Sequence, residues 1–259
     1  MQAITDTKHL TVQTLPPILV LTGEDVGQFE WLKKDILNKI GYDPSDLNYS
    51  YFDMKEASYD EVELDLVSLP FFADEKIVIL DHLLDLTTAK KRNLTDEDLK
   101  QFENYLENPS ESTRLVIFAE GKLDSKRRLV KLLKRDAQII EATTPKEQEV
   151  KRYFASQAQE LGLQFEGDSL DQLLLKSGYD FGELQKNIAL LQAYKEDGQI
   201  TLEDIEEVVP KSLQDNIFDM TQLLLRGQIQ SVRELVHDLR LQGEDEIKLI
   251  AVMLGQFRT

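Results

Sequence analysis

The first place in this chain where chemistry could reside is an apolar run that breaks into a glycine turn, Ile18-Leu19-Val20-Leu21-Thr22-Gly23-Glu24-Asp25-Val26-Gly27-Gln28. A strand, a glycine turn and a helix can cradle phosphate when the loop reads G-x-x-x-x-G-K-[ST], because backbone N–H groups and the lysine hold the phosphates and the hydroxyl holds magnesium. Here the glycine spacing is wrong and no lysine follows. Glu24 and Asp25 also bring two carboxylates to the positive end of the helix dipole, where they repel a nucleotide. The expectation is no nucleotide and no other cofactor.

Other catalytic constellations are equally weak. His9, His82 and His237 are scattered, with no paired ligand spacing. Asp81-His82 has the composition of an acid–base pair but no matching nucleophile or glycine elbow, so it reads as a polar cap at a strand end. Cysteine is absent, which removes disulfides, thiolate metal sites and a thiol nucleophile. Acidic pairs such as Glu203-Asp204 and Glu206-Glu207 fall on helix faces and first turns, where solvation and the dipole account for them.

With 30 Lys and Arg against 48 Asp and Glu, a net charge of -18 argues against binding nucleic acid or anionic lipid through the overall field. One basic segment stands against that background: Lys122, Lys126, Arg127, Arg128, Lys131, Lys134 and Arg135, interleaved with Leu129, Val130, Leu132 and Leu133. It reads first as charge balance for neighbouring carboxylates, and second as a phosphate contact through Lys126, Arg127, Arg128 and Lys131. No apolar run has membrane-spanning length, and MQAITDTKHL holds no signal-peptide core, so the expectation is a soluble cytoplasmic protein.

The elements that position these groups alternate. Short apolar runs at Ile18 to Leu21, Tyr49 to Phe52, Ile77 to Leu80, Leu115 to Phe118 and Ile139-Ile140 read as strands. Helical spacing separates them, including Val26 to Ile40, a helix with Thr95 as N-cap and Asp98 three residues on, and one from about Ser125 to Arg135. Five strands alternating with helices predict an α/β domain with a mostly parallel sheet over residues 1–142. Between the helix carrying Val62 and Leu66 and the third strand lies Ser68-Leu69-Pro70-Phe71-Phe72. Pro70 disfavours helical geometry at Leu69 and offers no N–H to a sheet, so the helix ends near Ser68 and Leu69, Phe71 and Phe72 ride a connection. They either fold back onto the core or face outward as a plug for another protein.

From Thr143 the pattern turns helical, with no further strand expected. Thr144-Pro145-Lys146-Glu147 reads as a capping box opening a helix to Leu161, and Leu170 to Leu175, Phe181 to Tyr194 and Leu202 to Val208 follow with Asp168, Asp180 and Thr201 as caps. These make an all-α domain over 143–211. Ile217 to Leu225, Val232 to Leu241 and Ile247 to Phe257 begin a further all-α domain at 212–259, which reads as cut short.

The pieces ILVLTGED, SLPFFADEKIVIL, RLVIF before the basic helix, TPKEQEV, LLLKSGYDFGELQKNIALLQAY, ITLEDIEEVV and NIFDMTQLLLRG together resemble the delta-subunit family of bacterial DNA polymerase III clamp loaders. The resemblance covers nearly the whole chain and is distributed in order rather than concentrated in a catalytic signature. It implies an AAA+-like first domain with a degenerate nucleotide site, a helical lid and a helical collar, here truncated. It also implies a non-catalytic subunit whose hydrophobic tip, matched by Leu69, Phe71 and Phe72, docks on the sliding clamp beside a helix and favours ring opening for loading onto primed DNA, with lid and collar meeting the other loader subunits. Two alternatives from other classes are an ATP-driven AAA+ motor and a DNA-binding module using the basic helix at 125–135.

Overall fold

The computed structural model describes residues 1–71, 73–211, 213–241, 245 and 249–251, the side chains of 213–215 excepted. By contacts the chain divides into two compact units, residues 1–153 and 154–259.

In the first unit, helix α1 (Gln2–Thr7) precedes strand β1 (Ile18–Gly23), helix α2 (Val26–Lys39), strand β2 (Tyr49–Asp53), helix α3 (Tyr59–Val67) and strand β3 (Lys76–Asp81). A 3-10 turn (Leu84–Leu86), helix α4 (Asp96–Glu107), strand β4 (Thr113–Glu120), helix α5 (Arg128–Asp136) and strand β5 (Gln138–Ala142) complete it, and the division between units falls within α6 (Glu147–Glu160). The five strands pair in the order β2-β3-β4-β1-β5, every pairing parallel. β1 lies between β4 and β5, with Ile18 opposite Leu115 and Val20 opposite Ile139.

Such a sheet must be covered on both faces, because parallel strands are joined by crossover helices. Alternate residues divide accordingly. Val20, Val78, Leu80, Leu115 and Ile117 pack with Val62 and Leu66 of α3, Phe102 of α4 and Val130 of α5. Leu19, Leu21, Ile79, Val116 and Phe118 face Phe29, Leu32 and Ile36 of α2, with Ala3 of α1 at the margin. Helix α1 falls in a stretch that reads as a polar lead: six residues with two buried positions, Ala3 and Thr7, carry too little periodicity to announce a helix.

The second unit contains β6 (Gln164–Phe165), α7 (Ser169–Lys176), α8 (Phe181–Tyr194), β7 (Gln199–Ile200), α9 (Leu202–Val208), α10 (Leu213–Leu225) and α11 (Ile229–Leu241). β6 and β7 pair in parallel, which corrects the expectation that no strand follows Thr143; strands of two residues show no alternation in sequence. Thr201 and Asp204 form the capping box of α9, and Asp180 accepts the Glu183 N–H at 2.8 Å. Asp168, expected as a cap, stands at the N-cap of α7 without a side-chain hydrogen bond to it. The box expected at Thr144 does not open the helix: α6 starts at Glu147, two residues later than that box implies, and the Glu149 carboxylate accepts the Lys146 N–H at 3.0 Å. The helix expected over Ile247 to Phe257 lies largely outside the described residues, although Leu249 is buried beside Ile217, Met220 and Leu239.

Candidate functional site

The connection from α3 to β3 forms an exposed apolar corner. Ser68 leaves the helical region at ψ 150, as expected one residue before Leu69-Pro70. Beyond it Leu69 is 73% and Phe71 88% exposed, while Phe72 lies outside the described residues. On α3 itself Val62 and Leu66 are buried in the core, whereas Leu64 and Val67 are 70% and 59% exposed. The helix therefore carries two apolar stripes, one for the core and one running into the corner. Scattered exposed apolar residues are ordinary; four within eight positions, continuous along a helix end and a proline turn, have the composition of a docking surface.

A buried cation holds the base of this corner. Lys76, at the start of β3, is only 6% exposed. Its ammonium donates to the Asp65 backbone carbonyl, to Ser68 Oγ at 2.7 Å and to Asp65 Oδ1 at 3.2 Å. The Ser68 hydroxyl in turn donates to the Asp65 carbonyl at 3.1 Å. A positive charge at the last turn of α3 also meets the negative end of the helix dipole. Both roots of the turn, residues 65–68 and residue 76, are thus tied to one nitrogen. Nothing in the local sequence around Lys76 signals this, since the partners come together only when the turn closes.

At the nucleotide-type end of the sheet the strand ends are tied together by their own backbone. Gly23 takes φ +136, and a Cβ there would stand 2.1 Å from the Ala142 carbonyl oxygen. Gly23 and Gly121 exchange N–H···O bonds of 3.0 and 2.7 Å, and Thr22 Oγ1 donates to the Gly121 carbonyl at 2.7 Å. The positive end of α2 is taken by Asp25, whose Oδ1 accepts the Gln28 N–H at 2.8 Å. At the end of β3, the buried Asp81 carboxylate binds Lys33 Nζ and the Tyr51 hydroxyl, each at 2.5 Å, and the His82 N–H at 2.9 Å. Burial, aided by the bond to Asp81, pushes the Tyr51 phenol far up, so it stays a donor. His82 Nδ1 lies 2.9 Å from Asp53 Oδ1, the polar strand-end cap that its sequence position suggests. Burial opposes ionisation of Asp53, but its bonds from the Lys55 N–H and His82 outweigh that and hold its carboxyl below the ordinary value. Among the described residues no cluster of three or more His, Asp or Glu side chains could hold a metal ion.

The basic segment is partly consumed by ion pairs. Helix α5 starts at Arg128 rather than near Ser125, because Asp124 holds the preceding turn by accepting the Lys126 N–H at 3.1 Å and the Arg127 Nε–H at 3.2 Å. Arg127 also donates to the Asp85 carbonyl. Arg128 pairs with Glu107 at 2.6 Å and Glu103 at 3.4 Å, and Arg135 with Asp136 at 2.6 Å. Lys126 and Lys131 are exposed and form no ion pair among the described residues.

A parallel α/β sheet of nucleotide-binding type carries, at the end of β3 opposite its strand-end turns, an apolar corner with the make-up of a protein-docking surface. Residues 19–143 match the family model of the DNA polymerase III delta subunit, and residues 214–259 match that of the delta subunit's C-terminal domain. The chain belongs to the DNA polymerase III delta-subunit family. It is 27% identical over 261 aligned residues to DNA polymerase III subunit delta of Bacillus subtilis (strain 168), covering 97% of this chain and 73% of that one. It shares the fold of the Bacillus subtilis DNA clamp loader delta protein (YqeN), with a TM-score of 0.65 and 24% identity over 99% of this chain and 76% of that structure. No helix among the described residues is long and apolar enough to cross a membrane.

Proposed function

We propose that this chain is the clamp-binding subunit of a replicative clamp loader and docks on the sliding clamp through Leu69, Phe71 and Phe72. The observation that carries this reading is the 88% exposure of Phe71 on a proline-stiffened corner of a chain in the delta-subunit family. An aromatic held on a short anchored turn loses little entropy on docking, so most of its burial becomes affinity. Leu64 and Val67 extend the contact along α3. Ring opening requires no chemistry from the subunit. It requires tighter binding to the opened ring than to the closed one, and the equilibrium shifts only by that difference. The subunit acts without hydrolysing ATP. Its partners are the clamp and the other loader subunits, met through a lid at 143–211 and a collar beginning at 212, with primed DNA reached through the complex in the cytoplasm.

The test is Phe71→Ala. Full burial of a large apolar side chain is worth roughly 1.5–3 kcal/mol, so clamp affinity measured by surface plasmon resonance should fall more than tenfold. An exposed substitution changes stability by only about 0.5 kcal/mol, so the melting temperature should stay put. Wild-type affinity in this variant, or a collapse of its fold, would overturn the docking role.

A further inference from the structure

Resting on the clamp-docking reading, we infer that the apolar corner is only half of the contact, and that a cleft beside it receives one lysine or arginine side chain from the clamp. The cleft is lined by Val12, Asp46, Tyr49, Ala73 and Ile77 and encloses about 180 Å³. That is below the roughly 300–1,000 Å³ of a small-molecule pocket and suits a single long side chain. Its place follows from the topology. β2, β3 and β4 are parallel neighbours, and Ile77 lies opposite Tyr49 on one side and Arg114 on the other, so the cleft opens at the starts of these strands. The corner enters β3 at the same end, and Ala73 follows Phe71 by two positions. A partner pressed onto Phe71 covers the cleft as well.

The lining selects a cation on an aliphatic stem. Val12, Ala73, Ile77 and the Tyr49 ring supply apolar wall, and Leu47, exposed between Asp46 and Asn48, extends it at the rim. The charges at the mouth are negative. Asp46 accepts through Oδ1 the backbone N–H of Asn48 at 2.9 Å and its side-chain N–H at 2.8 Å, and neither Asp46 nor the exposed Asp74 forms an ion pair among the described residues. The cations nearby are already engaged: Arg114 is closed on Glu75 by Nε–H to Oε2 at 2.9 Å and Nη2–H to Oε1 at 2.6 Å, and Lys76 is bound to the end of α3. Lysine and arginine lay their stems along apolar surface and keep the charged head at a polar rim, which is the division found here. An acidic side chain would meet Asp46 and Asp74 with like charge, and a wholly apolar one would strip them of water without giving them a partner. In a chain of net charge -18 the surrounding field favours the same basic face on the partner.

The experiment is surface plasmon resonance of the whole chain on immobilised sliding clamp, over a salt series from about 50 to about 500 mM. Val12→Trp fills the cleft from its exposed rim without altering the corner, and should weaken binding about tenfold at an unchanged melting temperature. Asp46→Asn combined with Asp74→Asn keeps the acceptor for the Asn48 N–H and removes both charges. This double variant should bind about tenfold more weakly at the lowest salt and lose much of the salt dependence of the wild type. Neutralising Glu30 and Glu97, exposed on α2 and α4, should change neither quantity. Wild-type or tighter binding by Val12→Trp, an unchanged salt dependence in the double variant, or an equal loss in the Glu30 and Glu97 control would each overturn the cleft. Phe71→Ala is read in the same assay. A loss there with none in the cleft variants leaves the docking corner standing and removes the cleft, whereas wild-type affinity in Phe71→Ala removes the docking reading and the cleft with it.

Discussion

Lys76→Met is the perturbation that best separates a positioned tip from one that is merely exposed. The substitution keeps most of the buried stem and removes an ammonium that bonds the Asp65 carbonyl, the Asp65 carboxylate at 3.2 Å and Ser68 Oγ at 2.7 Å. Hydrogen bonds to a charged group contribute about 1.5–3 kcal/mol. Breaking a fully buried pair costs about 3–5 kcal/mol, but the Asp65 side chain is 25% exposed and regains water, so a net loss of about 2 kcal/mol of stability is expected. At roughly 2–4 °C per kcal/mol for a unit of this size, the melting temperature drops by about 6 °C.

Clamp affinity falls for a different reason. With the end of α3 untied from the start of β3, residues between 68 and 76 regain freedom that docking must remove again, at about 1–2 kcal/mol for each backbone residue re-ordered. Two such residues correspond to a weakening of clamp binding of at least about 30-fold. Calorimetry on the free chain and surface plasmon resonance on immobilised clamp read the two quantities independently. Lys76→Arg, which keeps a cation able to reach the same carbonyl, should recover much of both. If Lys76→Met lowers the melting temperature yet binds the clamp as the wild type does, Lys76 is a stability residue only and the positioning argument fails.

Further expectations follow from the same geometry. Gly23→Ala combines a forbidden φ with a backbone clash at Ala142 and should destabilise by about 3 kcal/mol, seen as a fall of about 10 °C in differential scanning calorimetry; a wild-type melting curve would contradict the close approach of Gly23 to Ala142. Asp81→Ala strands the Lys33 ammonium, only 14% exposed, and should cost about 3 kcal/mol in urea unfolding, whereas an unaltered midpoint would mean that the pair is replaceable by water. Titration with ATP and magnesium should give no heat and no thermal shift; saturable micromolar binding that requires the metal would restore the ATP-driven motor as the better reading. Leu64→Ala should weaken clamp binding severalfold at constant stability, because this side chain lies on the exposed stripe of α3, and a loss of stability instead would place it in the core.

The periodic parts of this molecule were readable from local residue order, because each strand and helix shows its buried face as its own spacing. Ile18 to Leu21 and Ile77 to Leu80 are continuous apolar runs, as strands covered on both faces must be, and the Thr95 and Thr201 capping boxes stand where their spacing places them. Pro70 likewise marked the end of α3 by local sterics. Short pieces such as α1, β6 and β7 left no period to detect.

Which way the corner faces was decided only in three dimensions. Leu66 and Val67 are neighbours of similar hydrophobicity, one fully buried and the other 59% exposed, and only the packing of α3 on the sheet separates their fates. The same holds for charge. Arg127 and Lys126 are adjacent and both basic, yet one reaches Asp124 and the Asp85 carbonyl while the other forms no ion pair among the described residues. Lys33 and Asp81, 48 positions apart, and Lys76 with Ser68 across a closed turn acquire their partners through chain crossings that no short window of residues contains. Local order specifies backbone conformation because its forces act between near neighbours. Exposure and ion pairing depend on what arrives from elsewhere in the chain, and they belong to the folded whole.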